Sequence, residues 1–211
     1  GGGHTGVVPT TLLLPQVVDA VGAEIPVLGA GGFFDGRGLV AALAYGADGI
    51  AMGTRFLLTQ ESRVPDAVKA RYTAATVTDT VVTTALDGAP QRVIRTEVVD
   101  RIERSPKLLR FPRAAAAAWR FSRETGTSVR DLVREGLAMR RNQDLTWSQV
   151  ALAANAPMLI KATLVEGKVD VGVLPTGQTT GVIDELPTVA DLLARLEKEA
   201  ETALAHLGGP R

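Results

Sequence analysis

Glycine and histidine residues in three short segments carry the clearest chemical signal in this sequence. The chain opens with the loop Gly2-Gly3-His4, and two later apolar runs end in glycine, at Gly31-Gly32 and at Gly53-Thr54. Glycine lets backbone N–H groups approach a ligand closely, since no Cβ stands in the way. Two such turns at one end of a parallel sheet predict a phosphate cradle, made of N–H groups and the Thr54 hydroxyl.

His4 is the side chain in these segments that can exchange a proton near neutral pH, because an imidazole has an unperturbed pKa of about 6.5. It projects from a glycine loop that can pack against a flat ligand. The alternative interpretation is a disordered terminal histidine or the remnant of a tag. The other histidine, His206, lies among polar residues near the C-terminus and is predicted to be solvated surface.

For several of these residues the sequence allows either a ligand-binding role or a purely structural one. The glycine turns could be no more than the tight turns that strand ends need. Arg55 could add charge to a phosphate, or it could pair with an acid such as Glu61 or Asp48. The Gln178 amide could reach a ligand, although Gly177-Gln178 is more typical of a turn.

The residues around the glycine turns predict a strand, a helix and a second strand. Apolar residues 24–29 and 50–58 are typical of buried strands in a parallel sheet, and Asp35 can cap the helix between them. A helix over residues 10–21 precedes the first strand, with Pro15 in its first turn. This order of elements indicates an α/β fold.

The second half of the chain changes in character. Residues 101–162 predict a helical section rich in arginine, which is either a solvated face or a rim that attracts an anionic substrate such as a coenzyme A thioester. Residues 163–173 predict a hairpin, and residues 188–207 predict an amphipathic helix. We therefore divide the chain into a core at 1–100, a helical insertion at 101–162 and a closing segment at 163–211.

Composition excludes several classes of function. The 211 residues carry a formal net charge of zero, which argues against a nucleic-acid partner. The absence of cysteine excludes a disulfide framework, a thiolate nucleophile and a cysteine zinc site, and we predict no metal centre. No apolar run approaches the roughly 18 residues that span a bilayer. We predict a cytoplasmic protein without a membrane partner.

Four motifs, taken together, identify a family resemblance. They are GGHTG at residues 2–6, LLPQVVDAV at residues 13–21, GGFFDGRG at residues 31–38 and GADGIAMGTRF at residues 46–56. In order and spacing they resemble the nitronate monooxygenase family, also called 2-nitropropane dioxygenases, and the related FMN-dependent enoyl-thioester reductases. Gly177-Gln178 is a weaker echo of the same pattern.

The resemblance implies a fold, a cofactor and a site. The implied fold is the C-terminal part of a TIM (β/α)8 barrel with an added helical section, so that the two predicted strands are the last two of eight. The implied cofactor is FMN, with His4 as the catalytic base beside the flavin ring. By resemblance, the cofactor-binding residues are Gly2, Gly3, Gly31, Gly32, Gly53, Thr54 and Gln178.

The implied activity is that of a flavin-dependent oxidoreductase that oxidises an alkyl nitronate with oxygen. The long helical section supports an alternative, a reductase or dehydrogenase of an acyl-coenzyme A (enoyl-thioester) substrate that uses NAD(P)H. A third interpretation is a phosphate-binding module without catalysis. The sequence has no G-x-G-x-x-G motif after a first strand, which favours a flavin mononucleotide over a dinucleotide fold. A homodimer is compatible with all three.

The opening glycine loop also leads us to expect a portion of a longer fold, with the earlier strands of the barrel absent. A partial barrel leaves sheet edges unpaired and apolar surface uncovered. We therefore expect these 211 residues alone to be prone to aggregation, and to bind FMN weakly or not at all.

Overall fold

The computed structural model describes residues 1–104 and 156–209. Two compact units divide the chain: Gly1–Thr80 with Thr176–Arg211, and Val81–Pro175. The helices are α1 (Thr10–Val21), α2 (Gly36–Ala44), α3 (Gly53–Leu57), α4 (Asp66–Ala74), α5 (Glu97–Arg104), α6 (Ala156–Leu164) and α7 (Val189–Gly208). The strands are β1 (Leu28–Ala30), β2 (Gly49–Ala51), β3 (Thr80–Thr83) and β4 (Gln91–Ile94).

The first unit is built on a parallel pair of strands. β1 pairs with β2, with Leu28 opposite Gly49 and Ala30 opposite Ala51. Parallel neighbours need a crossover connection, which α2 supplies. The α/β class is therefore confirmed, although the described residues form two-stranded sheets and no closed barrel. Both strands end at one edge of the sheet, and the predicted glycine turns follow there.

Two helices flank the strands as their local signals predict. Asp35 caps α2, because its Oδ1 accepts a hydrogen bond of 2.9 Å from the Gly38 N–H. α1 spans the predicted residues and ends at Gly22, whose φ of 63° suits glycine. Pro15 lies in the second turn of α1 rather than the first. Leu14 of α1 is buried in a cluster with Ala42 and Ala47.

The prediction of a strand over residues 50–58 is wrong beyond residue 51. The chain leaves β2 and enters the short helix α3 at Gly53. A helical turn brings the Arg55 guanidinium to 3.0 Å from the Leu58 carbonyl, three residues along, which an extended chain would not do. The first predicted strand is also shorter than expected: Glu24 ends a 3-10 turn, and β1 begins only at Leu28.

α7 returns to the first unit and packs on α2. Its start is capped twice: Thr188 Oγ1 accepts from the Asp191 N–H, and the Glu61 carboxylate accepts from the Val189 N–H. Gly36 allows the two helices to touch, since a Cβ there would stand 2.4 Å from the Leu196 carbonyl oxygen. The predicted helix over residues 188–207 is thus confirmed within one residue at each end.

In the second unit, β3 and β4 form a separate two-stranded sheet. Leu86, Val93, Val99 and Val173 form its buried core. The predicted hairpin over residues 163–173 is wrong. α6 continues to Leu164 and a turn follows at Gly167, whose φ is 71°. The predicted helices within residues 105–155 lie outside the described residues, so the division at 101–162 stays a prediction.

Within residues 1–104 and 156–209, no helix combines the length and the apolar character needed to cross a membrane. The same ranges contain no group of three or more His, Asp or Glu residues that could hold a metal ion.

Candidate functional site

Three glycine segments that are distant in the sequence meet around one cavity of about 810 Å³ in the first unit. Ligand sites in proteins commonly measure roughly 300–1,000 Å³. The cavity is lined by residues 1–8, Thr10, Leu13, residues 30–33, residues 51–54, Gly177 and Thr179. The structure therefore brings together every residue that the sequence predicts for the site except Gln178.

The opening glycine loop lies directly on the turn after β1. A Cβ on Gly31 would stand 2.5 Å from the Gly2 nitrogen, and a Cβ on Gly1 would stand 2.9 Å from the Gly31 carbonyl carbon. The Thr10 hydroxyl adds a 3.1 Å hydrogen bond to the Gly31 carbonyl. Side chains at these glycines would force the two backbones apart, so this wall of the cavity is made of main chain.

Residues 176–180 approach the same place from a third direction. The Gln178 N–H donates a 2.8 Å hydrogen bond to the Gly1 carbonyl. The Gly177 N–H donates a 2.9 Å hydrogen bond to Thr54 Oγ1. These two bonds connect the closing segment to the opening loop and to the start of α3. The cavity thus depends on contacts between residues more than 120 positions apart.

Backbone N–H groups are available where the cradle is predicted. Gly31 and Gly32 have φ values of 90° and 93°, a left-handed conformation that side chains disfavour. α3 begins at Gly53. The N–H groups of Gly53 and Thr54 therefore have no acceptor within the helix, as at the start of any helix. Thr54 is buried, with 9% of its surface exposed, and its hydroxyl lines the cavity. The residues present therefore fit an anionic group.

His4 lies on the wall of the same cavity and is exposed. It is followed by Val7 and Val8, which are 98% and 44% exposed and also line the cavity. The site thus combines a titratable side chain, a main-chain wall and an apolar margin. The role of His4 as a base stays a prediction.

Arg55 follows the second of the two interpretations that the sequence left open, because it pairs with an acid, although not with either of the two named. It is 2% exposed, does not line the cavity, and donates to the carbonyls of Leu58 and Glu185. Its acidic partner is Glu185, at 3.8 Å, rather than Glu61 or Asp48. Burial lowers the pKa of Arg55, as does the nearby positive charge of Arg195, whereas Glu185 raises it.

Asp48 and Glu61 instead bind backbone groups. Asp48 accepts a 2.7 Å hydrogen bond from the Val27 N–H beside β1, and Glu61 accepts from the start of α7. Gln178 contributes its N–H to the wall, while the residue itself is exposed and does not line the cavity. Its place among the cofactor ligands stays a prediction.

The sequence did not identify Thr179, which lines the cavity although it is only 6% exposed. It also missed Phe33, whose ring lies over Gly29: a Cβ there would stand 2.9 Å from the ring. The available signal for Thr179 was its position next to Gln178. The arginine-rich section that was predicted to attract anions lies outside the described residues, apart from its first positions.

Comparison with known proteins places this geometry in a family. Residues 1–199 match the family model for nitronate monooxygenase. A curated protein of Mycobacterium tuberculosis, named (3aS,4S,5R,7aS)-5-hydroxy-7a-methyl-1-oxo-octahydro-1H-indene-4-carboxyl-CoA dehydrogenase, is 55% identical over 205 residues, which are 97% of this chain and 58% of that protein. A probable nitronate monooxygenase of Staphylococcus saprophyticus is 43% identical over 98 residues, 46% of this chain and 27% of that protein.

Comparison with solved structures points to the same group of enzymes. FabK from Thermotoga maritima superposes with a TM-score of 0.65 at 31% identity, over 98% of this chain and 53% of that one. The chain therefore spans a little more than half the length of the mycobacterial relative and of FabK. By sequence and by structure, it belongs to the nitronate monooxygenase family of flavin-dependent oxidoreductases.

Proposed function

We propose that the chain forms the cofactor-binding part of an FMN-dependent oxidoreductase that dehydrogenates a coenzyme A thioester. The observation that carries the proposal is the meeting of Gly2-Gly3-His4, Gly31-Gly32 and Gly53-Thr54 on one cavity. It supplies a cradle for one anionic group, a flat main-chain wall and a titratable side chain. A flavin mononucleotide needs the first two of these features, and its chemistry needs the third.

The cradle fits a phosphate group for a steric reason. Gly31 and Gly32 both have positive φ values, a backbone conformation that few other residues adopt. A Cβ on Gly32 would meet nothing within 4 Å, so the space beside it is open for a ligand. We assign the phosphate to the N–H groups of Gly31, Gly32, Gly53 and Thr54, with the Thr54 hydroxyl as an additional donor.

Bound FMN would supply two-electron redox chemistry, accepting a hydride equivalent from the substrate. His4 would take the proton that the substrate loses in the same oxidation, which balances the step. The exposed margin at Val7 and Val8 would contact the apolar part of the substrate. Oxygen or a nicotinamide nucleotide would then receive the electrons.

The extent of the similarity supports the thioester substrate. The mycobacterial relative named for a coenzyme A substrate matches 97% of the chain, whereas the staphylococcal nitronate monooxygenase matches 46%. The second candidate is oxidation of an alkyl nitronate with oxygen, which the family match favours. The two candidates share the cavity and His4.

We further propose that β1 and β2 are the last two strands of an eight-stranded (β/α)8 barrel. Their exposed surface supports this: Leu28 on β1 is 61% exposed, an unusual state for an apolar residue on a central parallel strand. Residues 1–100, 101–162 and 163–211 would then be the barrel portion, the helical insertion and the closing segment.

The test is a titration of the 211-residue chain with FMN, followed by flavin fluorescence and absorbance. We expect weak but saturable binding. An acyl-coenzyme A thioester should then change the spectrum of the bound flavin more than an alkyl nitronate does. Absence of FMN binding both by this chain and by a version that carries the earlier barrel strands would contradict the cofactor assignment. Oxygen uptake with a nitronate but not with a thioester would establish the second candidate.

A further inference from the structure

Three buried threonines lie within residues 176–180, and one of them differs from the others. The hydroxyls of Thr176 and Thr180 are hydrogen-bonded to each other, away from the cavity. Thr179 is 6% exposed and lines the cavity. Among the described residues, none makes a hydrogen bond with its hydroxyl. Its oxygen is not among the enclosed side-chain atoms that lack a partner, so the hydroxyl is reached from the cavity and can bond a ligand there.

The position of Thr179 relative to Gly177 shows where its hydroxyl lies. A Cβ on Gly177 would stand 3.4 Å from Thr54 Oγ1 and 3.6 Å from Thr179 Oγ1. Both hydroxyls therefore border the same part of the cavity wall. Gly177 belongs to the same segment as Thr179, and its lack of a side chain leaves the space beside both hydroxyls open.

Both hydroxyls retain a hydrogen to donate. Thr54 Oγ1 accepts its hydrogen bond from the Gly177 N–H, so its own hydrogen is not used in that bond. The Thr179 hydroxyl neither donates to nor accepts from any of the described residues. Two O–H donors on the same part of the cavity wall suit an anionic oxygen, which accepts hydrogen bonds more strongly than a neutral group does.

We propose that Thr179 donates a hydrogen bond to a terminal phosphate group bound in this cavity, as the partner of Thr54, and so selects a phosphorylated ligand. The inference rests on the proposed function and adds a residue to it. FMN and coenzyme A both carry a terminal phosphate, so the chemistry is shared. The cradle at Gly31-Gly32 favours FMN as its source.

The experiment compares Thr179→Val, which has the same shape without the hydroxyl, with Thr179→Ser, which keeps the hydroxyl. FMN, riboflavin and coenzyme A are titrated into each variant and into the unmodified chain, and thermal unfolding is recorded without ligand. We expect Thr179→Val to weaken FMN binding about tenfold, since it loses a hydrogen bond to a charged group. Thr179→Ser should bind FMN as the unmodified chain does.

Riboflavin has no phosphate and should bind all three proteins equally. Without ligand, Thr179→Val should unfold at about the same temperature as the unmodified chain, because the hydroxyl makes no hydrogen bond to the described residues. A tenfold loss for coenzyme A alone would assign the phosphate to the substrate and still support the donor role.

The other outcomes overturn the inference. If Thr179→Val binds FMN and coenzyme A as tightly as the unmodified chain, Thr179 does not contact phosphate, while the proposed function stands. If riboflavin binding falls as much as FMN binding, the contact is not with the phosphate. If Thr179→Val unfolds earlier than Thr179→Ser, the hydroxyl is structural. If neither the unmodified chain nor a version that carries the earlier barrel strands binds FMN, both proposals fail.

Discussion

Gly2 and Gly31 lie backbone against backbone, so that a Cβ on Gly31 would stand 2.5 Å from the Gly2 nitrogen. Gly31 and Gly32 have nearly the same positive φ, yet a Cβ on Gly32 would meet nothing within 4 Å. The two glycines therefore form a matched pair. A side chain at Gly31 is disfavoured both by the positive φ and by contact with Gly2. A side chain at Gly32 is disfavoured by the positive φ alone.

Gly31→Ala should lower the free energy of unfolding more than Gly32→Ala does. Both substitutions carry the left-handed cost of about 1–2 kcal/mol, and Gly31→Ala adds a collision with main chain, about 1–3 kcal/mol more. Urea unfolding of both variants measures the difference. Equal loss of stability would mean that the opening loop moves away without cost.

Gly36→Ala should destabilise the packing of α2 on α7. Its Cβ would stand 2.4 Å from the backbone at both Leu196 and Ala200, and backbone yields little. We expect a loss of at least about 2 kcal/mol in the free energy of unfolding. Gly38→Ala is the control, because its Cβ would meet the Phe33 side chain at 3.2 Å, a flexible neighbour. A comparable loss in both would contradict this account.

Arg55→Met should be strongly destabilising although it removes a charge from the interior. The guanidinium donates to the Leu58 and Glu185 carbonyls, which would be left without their partner. We expect a loss of about 2–4 kcal/mol by chemical unfolding. Arg195→Met is the comparison, since Arg195 is only half-buried. A larger effect at Arg195 than at Arg55 would refute the prediction.

Asp79 should make stability depend on pH in the acid range. Hydrogen bonds from the Thr76 N–H and hydroxyl lower the pKa of this exposed carboxyl. Its folded-state pKa is thus below the unfolded value of about 3.9, and its contribution is complete above that value and disappears as pH falls through the folded one. Asp79→Asn should therefore be less stable than the unmodified chain at pH 7 and equal to it at about pH 2. A constant difference across this range would exclude titration of Asp79 as the cause.

His4→Asn should separate proton transfer from cofactor binding. The amide keeps a polar group of similar size on the cavity wall, so FMN affinity should change by less than about threefold, whereas turnover should fall about 10²- to 10⁴-fold. Titration and steady-state kinetics measure the two effects. A variant with unchanged turnover would remove His4 from the proposed mechanism.

The elements that the sequence predicted well begin or end at local signals. Asp35 and Thr188 cap α2 and α7 through side-chain bonds to residues three positions along, and Gly22 ends α1 by its own conformation. Such signals act within one turn and need no knowledge of the rest of the chain.

The errors come from contacts across the sequence. A segment as short as residues 53–58 has too few apolar residues for their spacing to distinguish a strand from a helix. The contact between Arg55 and the Glu185 carbonyl, 130 residues away, favours the helix. Thr179 was missed for the same reason, because its place in the site depends on the Gly177 to Thr54 bond. The glycine turns were predicted because glycine itself indicates a positive φ or a close approach of two backbones.

One wall of the cavity consists of main chain, so substitutions elsewhere in the site can occur without changing that wall. Substitutions at Val7, Val8 or Leu13 can reshape the exposed margin without altering the path of the backbone at residues 1–3, 31–32 and 177. The part of the site that we assign to the cofactor is thus insulated from drift in the part that we assign to the substrate. A family with such a division can acquire new substrates through its loops while its cofactor stays the same.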